Sequence, residues 1–233
     1  MARLSRLCIA GWPHLLVQQG HNHQPVFRDA ADRRLFLDLL KDAAATHGVT
    51  IHAYGLLDAE VRMLVTPIAG DSLSRMMQAI GRRYGTSFNR RHGHVGSIWQ
   101  GRFRTTVIEP ERHLLTCMRF VEQGAASPDG GPSLGQRDWS SADHHVGRRV
   151  DPLISDHLQY WSLGNTPFER EAAYGKQLQL ALTSVELAEI LDAARKGWPL
   201  GSLGFLEQLS ASTERRLTPL PRGRPQKVAK QSI

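Results

Sequence analysis

A run of arginines with neighbouring amide and aromatic side chains is the chemically most distinctive part of this sequence. Between Asp71 and Arg104 there are seven arginines and one acidic residue. A guanidinium group can donate two parallel hydrogen bonds to the oxygens of one phosphate. Amide side chains can form hydrogen bonds with base edges, and an indole ring can stack on bases. The segment therefore predicts a surface that contacts nucleic acid. Its candidate residues are Arg82, Arg83, Asn89, Arg90, Arg91, His92, Trp99, Gln100, Arg102 and Arg104.

The end of the chain carries a second concentration of positive charge. From Arg215 to Ile233 there are six basic residues and no acidic one, so the net charge of +7 is concentrated in two places. This distribution is typical of phosphate-backbone binding, although a solvated charged face has the same composition. Arg222 and Arg224 flank a glycine in a motif that resembles the core of an AT-hook, which fits the minor groove. The alternative is a disordered, solubilising tail.

Histidine and tyrosine side chains could supply a metal site and a nucleophile. His21 and His23 have the i, i+2 spacing that puts two side chains on one face of a strand. They fall in a loop, however, while Tyr54 and Tyr84 fall on a strand and on an apolar helix stripe, where packing is the expected role. A catalytic site here would need these groups to converge in the fold. The candidates are His21, His23, His52, His92, His94, Tyr54, Tyr84, Tyr160 and Tyr174.

The composition is that of a soluble globular protein. The 233 residues are 41% hydrophobic, which is enough for a buried core. No apolar run approaches the roughly 20 residues that cross a bilayer, and the first residues lack the apolar stretch of a secretory signal. We therefore expect a cytoplasmic, nucleoid-associated protein with no membrane partner. Cys8 and Cys117 fit neither a disulfide framework nor a zinc site, and we expect them to be small buried side chains.

Hydrophobic spacing predicts the elements that must position these residues. A strand over His14–Gln19 precedes a helix that Asp29 caps and Gly48 terminates. Residues 49–56 and 61–67 alternate as the two strands of a hairpin.

A long amphipathic helix starting near Asp71 or Ser72 follows the hairpin. It is followed by a strand over 97–107 and a helix over 113–123 that Pro110 introduces. This order predicts an α+β fold in which helices pack on an antiparallel sheet.

A composition shift at residues 125–136, which are rich in Gly, Pro and Ser, predicts a linker. Beyond it, helices are predicted over 167–182, over 183–196 with a capping box from Thr183 and Glu186, and near 202–210. The expected organisation is an α+β DNA-binding core (1–124), a linker containing the Trp139 motif (125–150), a helical C-terminal region (151–218) and a disordered basic tail (219–233).

Several motifs in register resemble the transposases associated with repetitive extragenic palindromes (REP). The most characteristic stretch runs from Arg82-Arg83-Tyr84 through residues 88–93 to Trp99-Gln100-Gly101-Arg102-Phe103. The resemblance covers nearly the whole chain. Further matches are Pro13-His14, Arg28-Asp29, His52-Ala53-Tyr54, Trp139-Ser140-Ser141, Lys196-Gly197-Trp198, Leu200-Gly201-Ser202 and Arg222-Gly223-Arg224-Pro225.

The resemblance implies a single-tyrosine transposase of the His-hydrophobic-His (HUH) type, with a ferredoxin- or RRM-like sandwich. Such enzymes cut and rejoin single-stranded DNA at hairpins, using two strand histidines that hold Mg²⁺ or Mn²⁺ and a helix tyrosine as nucleophile. Here the metal-binding run aligns with Ala59-Glu60-Val61-Arg62. The nucleophile position aligns with Phe120, and a further ligand position aligns with Gly124, beside Gln123.

These replacements predict that no catalytic site is intact at Glu60, Arg62, Phe120 and Gly124. Arginine stays protonated and has no lone pair for a metal, and phenylalanine has no oxygen that could attack phosphorus. We therefore expect no metal cofactor. Glu60 and Arg62 project from one strand face, so we hypothesise an ion pair in place of the metal, with Arg62 offering a charge to a phosphate. The alternative is an ordinary surface pair.

The combined expectation is a domesticated, catalytically inactive bacterial relative of these transposases that binds hairpin, palindromic or single-stranded DNA. One alternative is an active transposase that catalyses strand cleavage and DNA transposition with unorthodox residues. Another is a scaffold that does not bind DNA. The sequence leaves the oligomeric state open, a homodimer included.

Overall fold

The computed structural model describes residues 6–123 and 139–219, which are organised around a four-stranded antiparallel sheet. The strands lie in the order β2-β3-β1-β4. They are β1 (His14–Gln19), β2 (Val49–Leu57), β3 (Glu60–Pro67) and β4 (Arg104–Val107). The helices are α1 (Ala30–His47), α2 (Ser72–His92), α3 (Pro110–Gln123), α4 (Ala142–His145), α5 (Leu158–Trp161), α6 (Pro167–Gln179), α7 (Ser184–Lys196) and α8 (Leu203–Ser210).

The sheet order confirms the predicted α+β fold. β2 and β3 form a hairpin in which Leu57 pairs with Glu60, and β1 lies between β3 and β4. α1 and α2 each connect strands that are not neighbours, and both pack in one hydrophobic cluster on the same face of the sheet, as in a ferredoxin-like sandwich. No helix in the described ranges is long and apolar enough to cross a membrane.

Alternation along the strands gives the sheet two buried faces. Leu16 and Met63 belong to the hydrophobic cluster shared with α1 and α2. Leu15 and Leu64 belong to the cluster shared with α3, α6 and α7, in which Tyr174 is fully buried. The C-terminal helices therefore share a core with the sheet. Trp139, at the end of the predicted linker, packs on the other cluster.

Most helix ends follow the predicted signals. Asp29 accepts a hydrogen bond from the Asp32 amide at 2.8 Å and begins α1. Gly48 ends it in the left-handed region, with φ 61°. Thr183 and Glu186 form the predicted capping box of α7. The corresponding box of α6, from Thr166 and Glu169, was not foreseen.

The strand predicted over residues 97–107 was too long, because β4 spans only Arg104–Val107. Gly96 and Gly101 have φ values of 95° and 65°, which turn the backbone away from extended geometry on both sides of Trp99. Trp99 keeps a single bridge, to Gly20. The segment is a loop whose backbone is held beside β1.

His14 links the sheet to the preceding loop and should make stability depend on pH. Its Nδ1 donates to the Trp12 carbonyl at 2.7 Å and its Nε2 accepts the Ile9 amide at 3.2 Å, so the ring is neutral. Burial lowers its pKa to about 4 from the ordinary 6.5. The unfolded chain therefore binds a proton near pH 6.5 that the folded chain takes up only near pH 4.

Stability from His14 is thus present at neutral pH and is lost as the pH falls. Between pH 7 and pH 5 we expect this histidine to lower the free energy of unfolding by about 2 kcal/mol. Denaturant titrations of the wild type and His14→Gln at both pH values measure it. The gap between the two proteins should shrink at pH 5, and an equal gap at both values would contradict the assignment.

Candidate nucleic-acid interface

The long helix α2 separates an apolar face from a basic one. Its buried residues include Leu73, Ile80 and Tyr84, which pack on the sheet. Arg82 and Arg90 lie two turns apart on the opposite side and are exposed. Neither forms an ion pair with any residue in the described ranges. α2 therefore presents two uncompensated guanidinium groups to solvent.

A groove of about 360 Å³ runs between α2 and the loop that precedes β4. We call it the arginine groove. It contains no acidic side chain among its lining residues. Arg6 stacks on Phe103, with its guanidinium carbon 3.9 Å from the ring centroid, and Arg75 pairs with Asp71 at 2.7 Å. Its polar and aromatic lining is made by Arg6, Gln18, Ser74, Arg75, Gln78, Trp99, Arg102 and Phe103.

Arg102 lines this groove and, like Arg104 and Gln100, is exposed. Arg102 and Arg104 have no acidic partner in the described part of the chain. Arg83, by contrast, lies 3.5 Å from Asp42 in an exposed pair, which contributes little energy. Of these exposed basic residues, Arg102 lines the groove, and Arg82 directly follows Gly81, which also lines it.

Two predicted contact residues hold the neighbouring loop. Asn89 donates to the Gly96 carbonyl at 2.9 Å and its side-chain oxygen contacts His94 Nδ1 at 2.9 Å. Trp99 packs against Phe36, with ring centroids 6.3 Å apart, so its ring is only partly open for stacking. These residues shape the groove more than they project from it.

Arg91 and His92 meet a buried carboxylate. Asp32 is buried at the start of α1, accepts the Arg28 amide at 2.9 Å and contacts His92 Nε2 at 2.8 Å. Arg91 bonds the same carboxylate and also reaches Asp29 at 2.9 Å. This network ties the end of α2 to the start of α1, so both basic side chains are bound internally.

Glu60 and Arg62 form the ion pair that the sequence suggested. Arg62 Nε lies 2.5 Å from Glu60 Oε1, and both side chains are 16% exposed. Arg62 Nη1 donates to the Phe120 carbonyl at 3.0 Å, and its guanidinium lies 4.1 Å from the centre of the buried Phe120 ring. Gln19 also donates to Glu60, at 2.8 Å.

This arrangement does not fit a divalent metal. The permanently charged guanidinium of Arg62 is paired with the Glu60 carboxylate, which is the group that would have to bind the metal. Gln123, the neighbouring candidate ligand, directs its amide N–H groups to the carbonyls of Leu178 and Leu180, each at 2.7 Å. Gly124, Arg222 and Arg224 lie outside the described residues.

A relocated nucleophile finds no support among the tyrosines. Each hydroxyl donates to an internal acceptor: Tyr54 to Asp151, Tyr84 to the Val26 carbonyl, Tyr160 to the His145 carbonyl and Tyr174 to Glu122. Burial raises the pKa of all four above the ordinary value of 10.0, which disfavours the reactive phenolate.

Of the candidate histidines, His21, His23 and His52 do not form a metal pair beside these tyrosines. His21 and His23 lie in an exposed turn. His52 is buried and contacts the Ser155 carbonyl at 2.7 Å and Thr66 Oγ1 at 2.8 Å.

A buried hub at Glu122 was not foreseen. One carboxylate oxygen accepts from Ser141 Oγ and His145 Nδ1, both at 2.6 Å, and the other accepts from the Tyr174 hydroxyl at 2.7 Å. Ser141 also accepts the Tyr54 amide at 3.0 Å. Through Ser141, this hydrogen-bond network attaches the Trp139-Ser140-Ser141 motif to α3 and to β2 of the sheet. Its only sequence signal was a glutamate at an inward position of α3.

These features define an α+β sandwich with a basic groove on one helix and a filled site on the other face. The chain is similar in fold to a solved REP-associated tyrosine transposase bound to a REP hairpin, with a TM-score of 0.52 and 14% identity over 67% of this chain and 92% of that one. The chain therefore shares the α+β fold of that transposase.

A second similar structure is a protein of Deinococcus radiodurans R1 described as a transposase. It has a TM-score of 0.34 and 24% identity over 50% of this chain and 93% of that one. Neither a protein-family model nor a curated protein matches the sequence.

Proposed function

We propose that this chain binds hairpin-forming or palindromic DNA through the arginine groove and the basic face of α2, and that it does not cleave the DNA. The observation that carries the proposal is the groove itself, whose lining contains no acidic residue and includes the exposed Arg102, which has no acidic partner in the described part of the chain. Phosphate oxygens are the natural ligands of such a surface. The solved relative of similar fold is bound to a REP hairpin, which favours the same class of ligand.

The proposed contact residues differ in their roles. Arg82, Arg90 and Arg104 are free to bind phosphates. Arg102 lines the groove and Gln100 is exposed beside it, where either could reach a base edge. Arg83 adds a peripheral charge. Asn89, Arg91, His92 and Trp99 fix the shape of the surface. Arg222 and Arg224 would bind the minor groove of an adjoining duplex.

The absence of cleavage rests on the filled site. Arg62 supplies a fixed charge where the cutting reaction of the resembled family needs a metal, and Phe120 offers no nucleophilic oxygen. Arg62 is 16% exposed, which leaves one edge of its guanidinium able to meet a phosphate. DNA bound at the arginine groove would therefore find no nucleophile at this site. Regulation or occupation of hairpin repeats is the role that such binding would serve.

Assays with a single-stranded DNA hairpin test both the proposed binding and the proposed absence of cleavage. With Mg²⁺ or Mn²⁺ present, we expect salt-sensitive binding by fluorescence anisotropy and no covalent protein–DNA adduct on a denaturing gel. The matched comparison is Glu60→His/Arg62→His/Phe120→Tyr, which restores the ligand pair and the nucleophile. A wild-type adduct would establish an active transposase. Failure to bind hairpin, duplex or single strand at low salt would favour a scaffold instead.

A further inference from the structure

Three ligand atoms meet beside α4, far along the chain from the basic groove. His144, His145 and Asp156 each offer one ligand atom within 4.8 Å of the other two, and Nε2 of both histidines faces Oδ1 of Asp156. The carboxylate oxygen is 3.4 Å from the first nitrogen and 3.6 Å from the second. These separations exceed the roughly 2.9 Å of a good N–H···O bond. They match the spacing of about 3.4 Å between ligands around a tetrahedral ion with bonds of roughly 2.0–2.2 Å.

Two of these atoms have no hydrogen-bond partner among the described residues. His145 Nε2 and Asp156 Oδ1 are both shielded from solvent, and the His145 side chain is 0% exposed. On the other side of its ring, His145 Nδ1 contacts Glu122 Oε1 at 2.6 Å. A carboxylate behind an imidazole holds the proton on Nδ1 and directs the Nε2 lone pair outward, as in metal sites. Here Nε2 of His145 faces Asp156 Oδ1 at 3.6 Å.

The charges around His145 favour a cation. Glu122 has a fully buried side chain and Asp156 is 25% exposed, so two carboxylates enclose one imidazole. Buried carboxylates are costly unless their charge is compensated. A divalent ion between His145 and Asp156 would compensate both carboxylates, whereas a proton on the histidine would compensate only one.

We propose that His145, Asp156 and His144 bind one divalent transition metal, with zinc the best match to two imidazoles and a carboxylate. Zinc takes nitrogen and oxygen ligands in tetrahedral geometry, and water from the partly exposed side of His144 would complete it. The ion would join α4 to the segment at residues 151–157. The proposal concerns structure and is independent of DNA binding.

The three ligands should not contribute equally to the affinity for zinc. His144 Nδ1 accepts a hydrogen bond from the Asp151 amide at 3.1 Å. A metal on Nε2 would place the ring proton on Nδ1, so this hydrogen bond would have to break. His145 already holds its proton on the Glu122 side. We therefore expect His145 and Asp156 to provide most of the affinity.

Zinc titration of the chelator-stripped full chain tests the site. Calorimetry should give one Zn²⁺ per chain, and the melting temperature should rise with zinc. Asp156→Asn keeps the shape of the side chain and should weaken affinity by more than about 100-fold, beyond the range of outer-sphere partners. His92→Gln is the matched control. It removes a histidine from the Asp29–Asp32–His92 cluster and should leave affinity unchanged.

A wild-type chain that binds no zinc would overturn the proposal, as would affinity that survives Asp156→Asn or is lost in His92→Gln. If Asp156→Asn does not fold, Co²⁺ bound to the wild-type chain decides the matter. Intense visible absorption from a four-coordinate ion is expected. A weak spectrum like that of the hydrated ion would overturn the site.

Discussion

Removal of Glu122 is expected to lower the free energy of unfolding by about 3–5 kcal/mol, the range for breaking a buried charged network. Glu122→Ala would leave the hydroxyls of Ser141 and Tyr174 and the N–H of His145 without their acceptor inside the protein. It would also open a cavity where α3 meets α4 and α6. The loss should therefore far exceed that of an ordinary substitution.

Urea denaturation with EDTA in the buffer measures this effect without any contribution from bound metal. Glu189→Ala is the matched control, because Glu189 is an exposed glutamate on α7 and should change stability by less than about 0.5 kcal/mol. Glu122→Gln keeps the shape of the side chain, and its loss in the free energy of unfolding should lie between those of Glu122→Ala and Glu189→Ala. A change below about 1 kcal/mol in Glu122→Ala would show that the hub is not essential to the fold.

Replacement of Arg82 and Arg102 by alanine should weaken binding of hairpin DNA by about 100-fold at low salt, since each guanidinium would lose charge-assisted contacts with phosphate or a base edge. The slope of log affinity against log salt should fall by about 2 if both residues bind phosphates. The fold should survive, because both side chains are exposed and make no ion pair in the described ranges.

The control for this variant changes the same amount of charge elsewhere. Arg112 and Arg195 are exposed on α3 and α7, where they pair with Glu109 and Asp192. Their double alanine variant should bind hairpin DNA within about twofold of the wild type. Equal losses in both double variants would mean that only net charge matters, and no loss in Arg82→Ala/Arg102→Ala would exclude the arginine groove as the binding surface.

Local patterns predicted most of the fold. The short strand β1, the β2–β3 hairpin, the Asp29 cap and the Gly48 stop depend on residues a few positions apart, so the sequence displays them directly. The extent of β4 was wrong because two glycines adopt left-handed geometry that spacing alone does not reveal. Short α4 and α5 went unpredicted because four-residue helices carry no periodicity.

The candidate site was harder to predict, because a charged residue does not show where its partner lies. Arg91 and His92 stand among the arginines in sequence, yet their carboxylate is Asp32, about 60 positions away. Glu122 gathers partners from 19 to 52 positions along the chain. The Glu60–Arg62 pair could be foreseen, because residues two apart on a strand share a face.

The stacking of Arg62 on Phe120 makes single substitutions at either residue unfavourable. Arg62→His alone would leave Glu60 without its guanidinium partner, and would remove the cation from the Phe120 ring. Phe120→Tyr alone would insert a hydroxyl at a ring that is only 2% exposed. Each single substitution towards a histidine pair and a tyrosine thus passes through a less favourable arrangement. Introducing that pattern would therefore need concerted replacement of all three residues.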